Sequence, residues 1–283
     1  LVCEPYYTNY AGYANMLGIG VDAVTTTPGN SYRIDPSSIE AGISKTTRAI
    51  VIPSPGNPTG VVLGEKELDA ILDICNRHGI FYISDEVYRE FVYDAPQGTR
   101  SPSVLSRPGS ENLAIVIDSV SKRYSACGAR IGCLVTRNKE VRRASLHFGQ
   151  ARLSPATVDQ HASLAALDTP RSYFDDVVKE YTQRRNVLVE GLASIGIEVE
   201  RPRGAFYLAV ALPVEDAKAF SEWMVSEFTL ENESLCVAPL EGFYHTPGLG
   251  RNEIRMAYVL EQETLKRCTY ILGAALEAWK QKN

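Results

Sequence analysis

The chain has 283 residues, 45% of them hydrophobic and 22% charged, which suits a globular fold with a substantial core and room for two domains. The net charge is −5 and no basic tract stands out, which argues against nucleic acid as a partner. No apolar run approaches the roughly 18 residues that cross a bilayer, so no membrane partner is expected. The cysteines (Cys3, Cys75, Cys127, Cys133, Cys236 and Cys268) are scattered without a Cys-x-x-Cys pair, pointing away from a zinc site or a disulfide framework and toward a reducing cytoplasm. No signal peptide is recognisable, so the expected location is cytoplasmic.

Leu1 to Cys3 is apolar and reads as a strand already under way, so an N-terminal piece is expected to precede it. Glu4-Pro5-Tyr6-Tyr7-Thr8-Asn9-Tyr10 is aromatic-rich and, on its residues alone, reads as a surface turn flanked by tyrosines. Tyr13 to Gly18 suggests a helical turn, and the β-branched run Val21 to Thr26 a strand. Asp35-Pro36 has the chemistry of a helix start, Asp as cap and Pro in the first turn. Arg48 to Ile52 reads as a buried strand and runs into Pro53-Ser54-Pro55-Gly56-Asn57-Pro58-Thr59-Gly60, whose prolines and glycines impose a stiff loop. Glu65 to His78 is amphipathic, with Leu68, Ile71, Leu72 and Cys75 on one face and Gly79 as terminator. The strand Ile80 to Ile83 ends in Ser84-Asp85-Glu86-Val87-Tyr88. An Asp at the end of a buried strand needs a partner, either a cation or the amides of a following helix.

Asp94 to Ser110 is loop-like, and Leu113 to Ile117 is another short apolar strand. It leads into Ser119-Val120-Ser121-Lys122 and, eight residues after the lysine, Arg130, just before the strand Ile131 to Val135. Loss of water favours the neutral amine of a lysine, which can form a Schiff base with an aldehyde. An arginine and serines can hold a phosphate. Taken alone the loop also fits a solvated basic turn. Helices are expected at Lys139 to Phe148, Pro155 to Leu167 and Pro170 to Leu192. Beyond Gly196, short strands are expected at Ile197 to Glu200, Phe206 to Val210, Leu235 to Val237 and Glu253 to Val259, with helices over Val214 to Phe228 and Glu261 to Lys280. Arg255 falls within an apolar strand pattern and needs an anion, either in a structural salt bridge or in a ligand.

Ser-x-Ser-Lys at 119–122 with Gly-x-Arg-x-Gly at 128–132, Asn-Pro-Thr-Gly at 57–60 and Asp-Glu-x-Tyr at 85–88 resembles the fold-type I aminotransferases, the aspartate aminotransferase superfamily of classes I and II. The resemblance covers the whole chain in order. It implies pyridoxal 5′-phosphate (PLP) as cofactor, bound covalently to Lys122, with Ser119, Ser121 and Arg130 on its phosphate. Asp85 would pair with the pyridine nitrogen, supported by Tyr10, while Tyr7 stacks on the ring. Asn57 and Tyr88 would bond the phenolic oxygen, with Asn57 also near the substrate carboxylate that Arg255 binds. Gly204-Ala205-Phe206-Tyr207 matches a family strand near the site, and Glu86 is read as structural.

The implied reaction is transamination between an L-amino acid, aspartate first, and a 2-oxo acid such as 2-oxoglutarate, in a homodimer. A PLP lyase or a PLP-sensing regulatory domain would use the same cofactor residues. The fold class expected from the alternation of strands and helices is α/β, a mostly parallel sheet between helices with a smaller C-terminal α+β domain. The expected division is 1–170, a connecting helix over 171–192, and 193–283. The resemblance also implies a segment before Leu1 that contributes to the small domain, the subunit contact and the phosphate site.

Overall fold

Short β-branched strands alternate with helices through the first half of the chain, and in the computed structural model, which describes residues 1–282, they assemble into one sheet. In chain order the elements are β1 (Val2–Glu4), α1 (Asn9–Met16), β2 (Ala23–Thr25), α2 (Pro36–Ala41), β3 (Ala49–Pro53), α3 (Glu65–His78), β4 (Phe81–Asp85), β5 (Ala114–Ser119), α4 (Val120–Arg123) and β6 (Gly132–Val135). The sheet order is β2-β1-β3-β4-β5-β6. Its first five strands are parallel, and β6 turns back antiparallel on β5. Pro53 lies opposite Asp85 and Asp85 opposite Ile117, so the carboxyl ends of three neighbouring strands are level.

Local chemistry set these elements where the sequence placed them. Asp35 caps α2 by accepting from the amides of Ser37 and Ser38, and Gly79 ends α3 in the left-handed conformation at φ 63°. The apolar face of α3 packs with Ile39 of α2 onto Ile50, Ile52 and Tyr82 of the sheet. α1 begins at Asn9, four residues earlier than Tyr13, the start read from the sequence.

The chain continues through α5 (Lys139–Arg152), α6 (Thr157–Ala166), α7 (Arg171–Ser194), β7 (Tyr207–Ala211), α8 (Ala217–Ser226), β8 (Ala238–Pro239), β9 (Glu253–Ala257) and α9 (Gln262–Lys282). β7, β9 and β8 form a separate antiparallel sheet. A second core joins this sheet to α7, α8 and α9 through residues such as Leu188, Leu192, Val210, Phe220 and Leu272.

Two strand expectations need correction. Ile197 to Glu200 alternates apolar and acidic residues, but no neighbouring strand pairs with it; Ile197 packs into the core and the segment stays irregular. The strand expected at Leu235 to Val237 forms instead at Ala238–Pro239, and its proline has no N–H to lengthen the ladder. Among the described residues no helix is long and apolar enough to cross a membrane, and no cluster of His, Cys, Asp and Glu suits a metal ion.

Candidate active site

Every site residue singled out from the sequence lines one cavity of about 370 Å³. Its floor is the carboxyl end of the parallel sheet, where strand ends leave backbone and polar side chains free of the ladder. Tyr7 follows β1, Asn57 lies in the loop after β3, and Asp85 closes β4 with Tyr88 just beyond. Ser119 closes β5, and the single turn of α4 carries Ser121 and Lys122. Arg130 lines the cavity from an exposed position at φ 56° and donates to the Cys127 carbonyl at 2.9 Å. Arg255 arrives from β9 of the other sheet, 198 residues from Asn57 in sequence, and donates to Asn57 Oδ1 at 3.1 Å.

The loop bearing Asn57 is held against the second sheet. Gly60 sits at φ +70°, and a Cβ there would lie 2.4 Å from the Pro202 Cβ, so only glycine allows this approach. Its carbonyl accepts from the Gly204 amide at 2.9 Å. The asparagine and the arginine are thereby fixed relative to each other.

Asp85 accepts a 2.6 Å hydrogen bond from the Tyr10 hydroxyl and a 3.3 Å bond from the Val87 amide. Burial raises its carboxyl above the ordinary range; the two hydrogen bonds oppose the rise, and so does the nearby charge of Lys122. Residues 87–90 form turns, so the alternative of Asp85 capping a following helix does not hold. The neighbouring Glu86 points elsewhere: it is buried and accepts from Ser103 Oγ, the Val104 amide and Ser84 Oγ, the structural place expected for it.

Lys122 Nζ lies 5.9 Å from the ring centres of both Tyr88 and Phe206 and 3.8 Å from Cys127 Sγ. Ser119 Oγ caps α4 through the Ser121 amide at 3.0 Å and lies 2.7 Å from Ser121 Oγ. The Tyr88 hydroxyl donates to Tyr207 at 3.1 Å, and burial pushes its phenol well up. Tyr7 packs edge-on against Tyr10 at 5.7 Å. Arg255 lies 4.6 Å from the Tyr207 ring centre and 5.1 Å from that of Phe243. Among the described residues no carboxylate lies within 4.0 Å of it, so the structural salt bridge considered for it is absent. Pro53, Val87 and Tyr207 also line the cavity, and of these Tyr207 brings a polar side chain whose own part the sequence did not single out. The Gly-Ala-Phe-Tyr string marked its strand, but which side chain enters the cavity depends on how β7 packs.

The sequence profile of "Aminotransferase class I and II" matches residues 1–269. The chain belongs to the class I and II aminotransferases. It is a PLP-dependent aminotransferase with the PLP-transferase fold. It is 31% identical over 280 residues to a probable aspartate/prephenate aminotransferase of Aquifex aeolicus, a match covering 98% of this chain and 69% of that one. It is 30% identical over 270 residues to aromatic-amino-acid aminotransferase 2 of Thermococcus litoralis, covering 94% and 67%. Among solved structures, an aromatic aminotransferase from Pyrococcus horikoshii superposes with a TM-score of 0.87 at 28% identity, covering 99% of this chain and 73% of that one. The aspartate aminotransferase of Thermus thermophilus with maleate gives 0.85 at 27% identity, covering 97% and 69%. This aminotransferase thus spans about two thirds of the length of the relatives it matches.

Proposed function

We propose that the cavity binds PLP and that the aminotransferase exchanges the amino group of an L-amino acid, aspartate first, with a 2-oxo acid such as 2-oxoglutarate. The observation that carries this reading is the convergence of Lys122, Asp85 and Arg255 on one cavity from three separate segments. The donor set fits the cofactor group by group. Asp85 is a carboxylate that burial makes uncomfortable without a cation, and the protonated pyridine nitrogen supplies one. Ser119, Ser121 and Arg130 combine hydroxyl donors with a guanidinium and suit a phosphate. Lys122 supplies the amine that holds the aldehyde.

When bound, PLP contributes an electron-accepting ring that lowers the barrier to breaking a bond at the substrate Cα. The protein's own residues choose which bond breaks. Arg255 grips the substrate α-carboxylate, and Asn57, already bonded to it, keeps the guanidinium turned into the cavity. Lys122 would take the proton from the substrate Cα as general base and, as general acid, deliver it to the former aldehyde carbon of the cofactor, which leaves Cα at the oxidation level of a 2-oxo acid. Asp85, steadied by Tyr10, would hold a proton on the ring nitrogen. Asn57 and Tyr88 would hold the phenolic oxygen, and Tyr7 would cover the ring.

Aspartate as donor is supported by the aspartate aminotransferases among the relatives and by the maleate, a dicarboxylate, named with the Thermus structure. A panel of amino donors against 2-oxoglutarate tests it. Aspartate should lead, and preference for an aromatic donor would overturn the aspartate assignment. We also read the aminotransferase as a homodimer. The support is an apolar surface on α5, α6 and the link between them, both helices burying no residue: Phe148 is 77% exposed, Leu153 76% and Val158 79%. Sedimentation as a monomer would refute this. For the division into 1–170, a connecting helix over 171–192 and 193–283, the support is the pair of cores, of which the second lies mostly beyond 192 and also takes in α7 and Tyr88, Phe91 and Tyr93 of the first segment.

A further inference from the structure

α4, the element that carries Lys122, is a single turn of four residues. One turn of helix is not stable by itself, so its direction has to be imposed from outside. Ser119 does this at the start, through its side-chain cap. At the end stands Arg123, a residue to which neither the motifs nor the comparisons assign any role.

Arg123 Nη2 donates to Asp118 Oδ2 at 2.6 Å, and Asp118 Oδ1 accepts from the Ser119 amide at 2.7 Å. Both ends of the turn therefore close on one carboxylate. The other side of the guanidinium faces Glu90, two residues beyond Tyr88, with Arg123 Nε 3.7 Å from Glu90 Oε1. Glu90 is only 5% exposed and is held in turn by Arg171 at the start of α7 and by Arg100 at 3.3 Å. Arg123 Nε is buried without a hydrogen-bond partner, so the Glu90 charge is what faces it. A buried carboxylate among three arginines makes a rigid anchor, because loosening any one partner leaves a charge unpaired.

We infer that Arg123 is a positioning residue for Lys122, clamping the single turn between Asp118 and Glu90 so that the lysine amine points into the cavity. The inference rests on the reading of Lys122 as the cofactor amine. It concerns a residue that does not line the cavity and acts only through its neighbour.

The test uses the full chain with Arg123→Met, which keeps the length of the side chain, and Arg123→Lys, which keeps the charge without the two-sided fork. PLP is mixed with cofactor-free protein, and the rate of the absorbance change reports capture by Lys122. Borohydride trapping and peptide mapping locate the adduct, and kcat, KM and Tm are measured alongside. In Arg123→Met the capture rate and kcat should both fall roughly 10- to 100-fold, the order expected for a reacting group misplaced by about 1 Å. KM for the amino donor should stay within about threefold of wild type, since Arg255 and Asn57 are untouched, and Arg123→Lys should recover part of both losses. Wild-type capture and kcat in Arg123→Met overturn the inference. So does a loss that tracks Tm and is not relieved by lysine, which marks a purely structural role. A wild-type adduct mapped to another lysine overturns the reading of the site itself, a result distinct from either.

Discussion

Replacing Arg255 by alanine separates substrate binding from cofactor binding. The guanidinium is bonded to Asn57 Oδ1 at 3.1 Å, flanked by the Tyr207 and Phe243 rings, and has no carboxylate partner among the described residues. A charge-assisted hydrogen bond contributes about 1.5–3 kcal/mol. At about 1.4 kcal/mol per decade, losing one such bond to the substrate carboxylate lowers kcat/KM roughly 10- to 150-fold. A bidentate grip would place the loss at the upper end. No ion pair is broken, and the two ring contacts of this half-buried arginine contribute about 0.5–2 kcal/mol each, so Tm should fall while the fold is kept. The assay is kcat/KM for aspartate with 2-oxoglutarate, beside borohydride trapping of PLP, which should be unaffected. A primary amine lacking an α-carboxylate is the control and should react equally slowly with variant and wild type. Unchanged kcat/KM for aspartate refutes the assignment, as does an equal loss with the amine.

Three further outcomes are expected. Lys122→Ala should abolish the borohydride-trappable PLP adduct and transamination, and an adduct formed normally at another lysine would contradict the assignment. Asp85→Asn should eliminate turnover yet raise the Tm of the cofactor-free protein at neutral pH. The sign follows from the raised carboxyl: the folded state holds the proton more tightly than the unfolded one, so stability falls as pH climbs from about 3.9 through the folded value, and the full penalty remains above it. Asparagine carries no charge and escapes that penalty, so the Tm difference should shrink as pH drops toward 4, and a constant difference would show that ionisation is not the cause. Tyr10→Phe removes the 2.6 Å bond to Asp85. A net loss of about 1 kcal/mol should weaken PLP affinity about fivefold in a direct titration, and wild-type affinity would place the support of Asp85 elsewhere.

The sequence by itself determined the order of strands and helices and where the reactive side chains leave them. Those features are local: β-branched runs make strands, Asp35 and Gly79 bound helices, and Asn57, Asp85 and Lys122 sit where strands end. The bland alternatives for Asp85 and Arg255 were equally consistent with their local patterns, and packing removed them. Whether Arg255 meets a carboxylate or an open cavity depends on how two sheets dock, which Gly60 and Gly204 set across more than a hundred residues. Tyr10 reaches Asp85 over 75 residues only because β1 and β4 flank β3 in one sheet. Ile197 to Glu200 carried the alternation of a strand but found no partner, since pairing belongs to two segments and alternation to one. The clamp of Arg123 between Asp118 and Glu90 likewise has no signature along the chain, because a buried charge chooses its partners by proximity in space.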